Sequence, residues 1–258
     1  MDSVNRTLYI PLYGKSFVSR RSMILKDPKA EEIWSAEGFP LKGKAASKWL
    51  CLYMGMRAAV FDRWVEKRLE EMPSAAVLHL GCGLDSRCLR VGNGRNPWYD
   101  VDFPQVMEER KKYFTDSDCY HMVAADVREL DFATVSGDSA IVVMEGISMY
   151  LKREELLQLL ARLRERFSQV ALLMDCYTTF SAKASKYKNP INEVGVTEVY
   201  GVDDPKELED GGLYFVCQHD MTPAALINQL QGTEKLIFQK LYAGAMAKKM
   251  YRMYEFRK

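Results

Sequence analysis

Short apolar runs that end at a glycine or an acidic residue recur between residues 75 and 177. The first run, 75–80 (AAVLHL), stops at Gly81 and Gly83, after which apolar residues resume. An apolar run followed by a tight turn and a helix-like pattern is typical of a strand buried in a parallel sheet. The pattern therefore predicts a strand, a glycine turn and the start of a helix.

Four further runs have the same form, and each is followed by or ends in an acid. Helix-like segments separate the runs, and this alternation predicts an α/β domain with a parallel sheet. Two later runs predict closing strands, which makes seven strands. The four runs end at Asp102, before Asp126, before Glu145 and before Asp175, and the closing strands are predicted at 213–221 and 250–257.

The first 72 residues have helical periodicity, clearest over 43–71. Because they precede the first strand, we predict that 1–72 form a helical cap over the edge or mouth of the sheet, and that 73–258 form the core. The segment 178–212 breaks the alternation and is predicted to be an inserted lid beside the mouth. Arg57 falls on the apolar face of the main cap helix, where it either pairs with a structural acid or meets a bound anion.

Composition limits the classes of function. The 258 residues are 48% hydrophobic and carry a formal charge of +1, which argues against disorder, nucleic-acid binding and an anionic membrane partner. The six cysteines form no Cys-x-x-Cys pair and there are three histidines, so neither a metal site nor a disulfide framework is expected. No apolar run reaches the roughly 20 residues of a membrane span, and we expect a soluble cytoplasmic protein of unknown oligomeric state.

The glycine turn and the acid that follows it predict a nucleoside site. Gly81 and Gly83 let a ligand approach the backbone, and the following helix start presents free N–H groups. Asp102 lies at about the spacing of a ribose-hydroxyl acceptor, although Asp100 shares its strand face and is an alternative. Ser86 replaces the third glycine of a dinucleotide turn, and Asp85 would repel a pyrophosphate.

Acids at the strand ends favour a cationic nucleoside, namely S-adenosylmethionine, although any one of them could simply cap a turn or helix. Four motifs together resemble the leucine carboxyl methyltransferase family, whose bacterial members include polyketide O-methyltransferases of the tetracenomycin type. The resemblance covers nearly the whole chain, including Lys15 and Arg57. The motifs are 80–87 (LGCGLDSR), 98–104 (WYDVDFP), 125–128 (ADVR) and 145–151 (EGISMYL).

This resemblance implies a Rossmann-like class I methyltransferase with a seven-stranded sheet whose last strand is antiparallel. It also implies a role for each matching residue. It places Lys15 and Arg57 near the methionine carboxylate, Gly81 at the turn, Asp102 on the ribose, Asp126 and Val127 around the adenine, Glu145 near the methionine amino group and Tyr150 facing the methyl-transfer site.

The predicted activity is S-adenosylmethionine-dependent O-methylation of a small molecule, with a carboxylate as the favoured acceptor. A carboxylate is ionised at neutral pH and needs no base, and none of His79, His121 and His219 is clearly aimed at the site. Within the fold, the alternative is methylation of a protein's C-terminal carboxylate. From other classes, an NAD-dependent oxidoreductase or a non-catalytic adenosyl-binding protein remains.

Overall fold

A computed structural model describes residues 5–188, 198–244, 247 and 249–258, except for the side chains of residues 5, 6 and 186–188. A single seven-stranded sheet organises this part of the chain. The strands are β1 (Ala76–Leu80), β2 (Trp98–Asp102), β3 (Tyr120–Ala124), β4 (Ser139–Met144), β5 (Gln169–Tyr177), β6 (Tyr214–His219) and β7 (Tyr251–Arg257).

Helices precede the sheet, connect its strands and follow them. They are α1 (Tyr9–Arg20), α2 (Pro28–Glu37), α3 (Lys48–Glu71), α4 (Arg87–Val91), α5 (Pro104–Arg110), α6 (Arg153–Arg166), α7 (Thr179–Lys188), α8 (Ala224–Ile227) and α9 (Gly232–Ile237). Short 3₁₀ turns cover Ser148–Tyr150 and Pro205–Gly211. Among the described residues, no helix is both long and apolar enough to cross a membrane.

The strand order is β3-β2-β1-β4-β5-β7-β6. Strands β1 to β5 are parallel, while β7 is antiparallel to both of its neighbours, β5 and β6. This confirms the predicted sheet with an antiparallel last strand. The order reverses between β1 and β4, and open α/β sheets bind ligands at the carboxyl ends of the strands beside such a reversal.

Strand β5 is longer than the sequence predicts. It was expected to stop at Met174, but it continues to Tyr177 because Asp175, Cys176 and Tyr177 pair with β7. That partner lies more than 70 residues further along the chain, so no local pattern reports it. Asp175 is therefore a buried strand residue rather than an acid after the strand end.

Helix α3 occupies a face of the sheet, which corrects the placement predicted for residues 1–72. Its buried residues, including Leu52, Met56 and Val60, pack with Val77 and Ile141 from β1 and β4. The predicted position over the edge or mouth is therefore incomplete for α3, which covers a sheet face and also contributes Arg57 to the wall of the cavity at the carboxyl ends of the strands. The cause is length, since a 24-residue amphipathic helix can cover a sheet face as well as reach its mouth.

Helix α1 lies close against α3 because each helix has a glycine at the contact. A Cβ atom on Gly14 would lie 2.8 Å from the Cβ of Met54, and one on Gly55 would lie 2.7 Å from Cγ1 of Val18. These glycines bring α1, which carries Lys15, next to the helix that carries Arg57.

The predicted lid segment, 178–212, begins with α7. Residues 189–197 of that segment lie outside the described residues. The segment ends in the turn Pro205–Gly211, where Gly211 lies against Leu160 of α6 and leaves no room for a Cβ.

Candidate functional site

A cavity of about 720 Å³ opens at the carboxyl ends of the central parallel strands. Its wall contains residues from α1, α3, α7, the strand ends and the C-terminal segment. All ten residues predicted for the site lie on this wall, namely Lys15, Arg57, Gly81, Gly83, Asp85, Asp102, Asp126, Val127, Glu145 and Tyr150.

The glycine turn after β1 has the conformation that glycine permits. Gly81 and Gly83 have φ values of 68° and 53°, a left-handed region that other residues rarely adopt. A Cβ on Gly81 would overlap the side chain of Ile147. The N–H of Gly83 donates to Oδ2 of Asp102 at 2.7 Å. The turn is thereby fixed to the end of β2, and both of its glycines border the cavity.

Asp102, and not Asp100, faces the cavity. Asp102 accepts hydrogen bonds from the backbone N–H groups of Gly83 and Phe103, and burial raises the pKa of its carboxyl group. Asp100 is buried and absent from the cavity wall. Its oxygens are engaged by Arg110, by Nε1 of Trp98 and by the hydroxyl of Tyr120. Of the two acids that the sequence offers for the ribose, Asp102 alone is therefore on the cavity wall.

The sequence leaves two explanations for the buried Arg57, a structural acid or a bound anion. The structure shows two acidic partners. Nε of Arg57 donates to Oε1 of Glu145 at 3.0 Å, and its Nη1 donates to Oδ2 of Asp175 at 3.1 Å. The same Nη1 lies 2.9 Å from the hydroxyl oxygen of Tyr251, which in turn donates to Asp175. Arg57 is buried yet lines the cavity, so one guanidinium both joins β4 to β5 and borders the ligand space.

Glu145 is held between two arginines. It also accepts a hydrogen bond from Nη2 of Arg87. Burial alone would raise the pKa of Glu145, but Arg87 and Arg57 outweigh this effect and lower the pKa to about 2. Glu145 is therefore ionised at every ordinary pH.

Asp85 corrects one premise of the sequence argument, which treated it as a negative charge available to a cationic ligand. It forms ion pairs with Lys15 at 3.0 Å, Arg90 at 2.8 Å and Arg87 at 3.4 Å. Burial alone would raise the pKa of Asp85, but these three cations hold it well below its usual range. Its charge is matched within the protein, so Asp85 orders Lys15 and α4 instead of offering a free anion.

The sequence reasoning missed the buried ion network behind the glycine turn. Arg87 and Arg90, three residues apart on α4, both contact Asp62 of α3 at 2.7 Å. Arg90 also reaches Asp27 at 2.6 Å. Two arginines directly after the turn were the available signal. Their partners lie about 25 to 63 positions away in sequence, so the pairing itself could not be predicted.

Asp126 lies at the end of the cavity next to Val127. Its carboxylate accepts hydrogen bonds from the backbone N–H and the guanidinium of Arg128, which also reaches Glu155. Burial opposes ionisation, but the Arg128 contacts lower the pKa of Asp126 below its ordinary value. Asp126 is thus a fixed, ionised wall residue.

Part of the cavity wall is aromatic and apolar. Tyr150 lies here, and burial raises the pKa of its hydroxyl. Helix α7 closes one side with Ser181, Ala184 and Ser185. Most of the aromatic residues were not predicted, because they come from α3 and from elements near the C-terminus. The remaining aromatic and thioether residues are Tyr53, Tyr177, Tyr242, Tyr251, Met54, Met149 and Met250.

The sequence predicts that none of the three histidines is clearly aimed at the site, and His79 is the one of the three that contributes to the cavity wall. Its Nδ1 lies 3.2 Å from Oδ1 of Asp100, and its Nε2 lies 3.2 Å from Nη1 of Arg87. Both ring nitrogens therefore face buried charged groups. His121 instead packs against Tyr99, and His219 contacts Glu255 between β6 and β7.

Sequence comparison identifies related proteins over most of the chain. The model of the leucine carboxyl methyltransferase family matches residues 5–164. The tetracenomycin polyketide synthesis O-methyltransferase TcmP of Streptomyces glaucescens is 30% identical, over 92% of this chain and 90% of that protein. The S-adenosyl-L-methionine-dependent methyltransferase dpfgK of Gibberella zeae is 28% identical, over 64% of this chain and 61% of its own length.

Solved structures share the fold at low sequence identity. The magnesium protoporphyrin IX methyltransferase ChlM from Synechocystis PCC 6803, crystallised with bound SAH, superposes with a TM-score of 0.54. The match covers 90% of this chain and 93% of that one, at 13% identity. The overall fold thus recurs in a methyltransferase of distant sequence.

Proposed function

Because this chain belongs to the leucine carboxyl methyltransferase family, we propose that it transfers a methyl group from S-adenosylmethionine to a carboxylate oxygen of a small molecule. The chain is, like its relatives, an S-adenosylmethionine-dependent methyltransferase. The small acceptor and its carboxylate are the proposal. Its main support is one cavity whose described wall residues include both a buried ion pair, Arg57 with Glu145, and five tyrosines.

The cavity fits a nucleoside cofactor together with a second molecule. Its volume of about 720 Å³ lies within the range of roughly 300–1,000 Å³ that holds drug-sized ligands. The glycine turn borders the cavity, and Asp102 lies beside it as an acceptor. We place the ribose at Asp102, the adenine at Asp126 and Val127, and the methionine end at Lys15, Arg57 and Glu145.

The methionine end carries ammonium and carboxylate groups, and the cavity wall offers charges of both signs to meet them. Glu145 is the acid that we assign to the ammonium, since its low pKa keeps it ionised. Lys15 and Arg57 are the cations that we assign to the carboxylate. Both already pair with acids of the protein, so we expect binding to redistribute existing ion pairs.

A carboxylate acceptor suits the absence of a suitable base among the described wall residues. His79 faces Asp100 and Arg87, and burial raises the pKa values of Tyr53, Tyr150 and Tyr251. A phenol or alcohol would need a base, whereas a carboxylate can attack unaided at neutral pH. Bound S-adenosylmethionine supplies an electrophilic methyl group on a sulfonium.

Catalysis on this account is positioning. Tyr150 and its aromatic neighbours would hold the acceptor oxygen in line with the methyl group, while α7 helps to exclude water. Correct alignment of two reactants can supply up to roughly 7–11 kcal/mol of barrier reduction. Tyr150 would orient the acceptor through its protonated hydroxyl and would remove no proton from it.

The test follows labelled methyl transfer to a panel of aromatic and aliphatic carboxylic acids, phenols and alcohols. The expected product releases its label in mild alkali, as an ester does, and the rate stays flat from about pH 6 to 9. His121→Asn is the matched control for His79→Asn. An alkali-stable ether, or a steep rise in rate with pH that His79→Asn alone abolishes, would contradict a carboxylate acceptor.

We also propose a cytoplasmic location. All six cysteines are free thiols, and three of them are buried. Free thiols are the usual state in a reducing compartment, which supports this assignment.

A further inference from the structure

Cys217, His219 and Glu255 come together on the two-stranded edge formed by β6 and β7. Sγ of Cys217 lies 3.5 Å from Nε2 of His219 and 3.9 Å from Oε2 of Glu255. Nε2 of His219 lies 2.8 Å from the same Oε2. None of the three residues lines the large cavity. Thiolate, imidazole and carboxylate are the ligand types that Zn²⁺ takes in proteins.

A β-bulge creates this arrangement. Phe215 pairs with Phe256, but Cys217 pairs with Glu255, so one extra residue is inserted in β6 between Phe215 and Cys217. In a regular strand Cys217 would share the face of Phe215, which packs in the apolar core against Tyr254 and Phe256. The bulge instead moves Cys217 and His219 to the face that carries Glu255. Bulges commonly redirect side chains in this way.

The distances between the three ligand atoms are close to those of a tetrahedral zinc site, and small shifts of the side chains would bring them to the ideal values. Zn–S bonds of about 2.3 Å and Zn–N and Zn–O bonds of about 2.0–2.2 Å place such ligands roughly 3.3–3.6 Å apart. The three observed separations lie within about 0.6 Å of this range. Cys217 is exposed, His219 is half-buried and Glu255 is buried, so the site is anchored at its base and open on its outer side.

The local charge balance also permits a divalent cation. The other oxygen of Glu255, Oε1, faces Arg257 at 3.1 Å and Arg68 at 3.8 Å, which leaves Oε2 directed at His219 and Cys217. Both arginines also contact Glu71, at 3.7 and 2.5 Å. Two glutamates thus balance two arginines, and a Cys217 thiolate would offset one of the two charges of the metal.

We propose that Cys217, His219 and Glu255 bind one Zn²⁺ ion, with water as the fourth ligand, and that this ion ties the edge strand β6 to β7. Sequence spacing could not reveal the site, because Glu255 lies 36 residues beyond His219 and on another strand. The role is structural and separate from methyl transfer.

The first experiment titrates chelator-treated protein with Zn²⁺ in competition with a chromophoric chelator. We expect one ion per chain and a higher melting temperature with Zn²⁺, since a ligand that binds the folded state stabilises it. Cys217→Ser and His219→Asn should each weaken binding at least tenfold and abolish the thermal shift. Loss of a residue that only orients a metal ligand weakens metal binding 10–100-fold, so loss of the ligand itself should weaken binding at least as much.

Matched controls are Cys119→Ser and His121→Asn, which remove the same residue types elsewhere and should leave Zn²⁺ binding unchanged. Co²⁺ gives an independent readout, because a thiolate ligand produces a charge-transfer band that Cys217→Ser should remove and Cys119→Ser should keep. Melting curves without metal show that each variant folds. The proposal is overturned if wild type binds no stoichiometric Zn²⁺, or if folded Cys217→Ser and His219→Asn bind it as tightly as wild type.

Discussion

Arg57 joins two buried carboxylates from neighbouring strands and also borders the cavity. Removing one partner of a buried ion pair costs roughly 3–5 kcal/mol, because the remaining charges stay buried. Arg57→Leu should therefore lower the free energy of unfolding by about that amount and weaken S-adenosylhomocysteine binding at least tenfold. Urea unfolding and calorimetry measure the two effects separately.

Arg57→Lys is the matched variant, since it keeps the charge but not the forked contact with Glu145 and Asp175. It should recover part of the stability. A leucine variant as stable as wild type would show that the two ion pairs contribute nothing to folding. A destabilised variant with unchanged affinity would show that the arginine has no part in the ligand site.

The pair Asp102 and Asp100 tests the ribose assignment. Asp102→Asn should weaken S-adenosylhomocysteine binding by roughly tenfold to a hundredfold, since a hydrogen bond to a charged group contributes about 1.5–3 kcal/mol. Its stability should fall modestly, because the amide NH2 group cannot accept the N–H bond of Gly83 or Phe103. Asp100→Asn should destabilise the fold more, because Arg110 would lose its buried partner. Calorimetry measures binding and urea unfolding measures stability for both variants. If Asp100→Asn weakened binding and Asp102→Asn did not, the ribose would be assigned to Asp100 instead.

At the scale of single residues, the sequence predicts which residues lie at strand ends better than it predicts which residues they contact. Asp102, Asp126 and Glu145 follow apolar runs, and parallel strand ends must meet at one edge of a sheet, so their shared cavity is predictable. The partners of Arg57 and Asp85 are not, since they come from distant segments that only the fold brings together. His79 shows the same limit, because its position within a strand reports neither its place on the cavity wall nor its partners Asp100 and Arg87.

Among the elements, the contact between α1 and α3 depends on space that glycine leaves. In an open helix, Gly55→Ala would stabilise by about 1 kcal/mol through helix propensity. Here the added methyl would lie 2.7 Å from Val18, and overpacking typically costs 1–3 kcal/mol. We expect Gly55→Ala to lower the urea midpoint. The double variant with Val18→Ala should be more stable than the sum of the two single effects predicts, because the smaller side chain at position 18 leaves room for the added methyl group. Strictly additive effects would show that the two helices are not in tight contact here.

The elements also show where local patterns stop being informative. The strands of the parallel sheet lie close to the predicted apolar runs, and those in β1 and β4 are buried at nearly all positions, whereas β3 is only partly buried. The end of β5 was not predicted, because its last residues depend on pairing with β7. The place of α3 on a sheet face was also missed, since amphipathicity shows that a helix packs but not against which surface.

Across the whole molecule, the buried acids make stability depend on pH. The pKa of Glu145 falls from its ordinary value of 4.5 to about 2 in the folded protein. A carboxyl with a lowered pKa stabilises the fold above its unfolded pKa, and this stability is lost as pH falls through the folded pKa. The shift corresponds to roughly 3 kcal/mol at neutral pH, lost between about pH 4.5 and 2.

Urea unfolding of wild type and Glu145→Gln across this acidic range measures the effect. The variant should be less stable at neutral pH and should lose less stability on acidification. Exposed Glu154→Gln is the control and should follow wild type. Equal pH dependence in all three proteins would show that Glu145 carries no lowered pKa.

The cavity itself is a property of the whole fold, since the N-terminal helices, strand ends, α7 and the C-terminal segment all contribute to its wall. Motifs concentrated at the strand ends predict the acids and glycines of its wall. They do not predict Tyr53, Tyr177, Tyr242 and Tyr251, which are spread over 199 positions with no common motif.

A crystal structure with S-adenosylhomocysteine tests the central assignment most directly. We expect a ribose hydroxyl within about 3.2 Å of an Asp102 carboxylate oxygen. We also expect the amino acid end against Lys15, Arg57 and Glu145, with the sulfur facing Tyr150. A ligand bound outside this cavity, or one whose ribose lies away from Asp102 with its amino acid end at Asp126, would contradict the account.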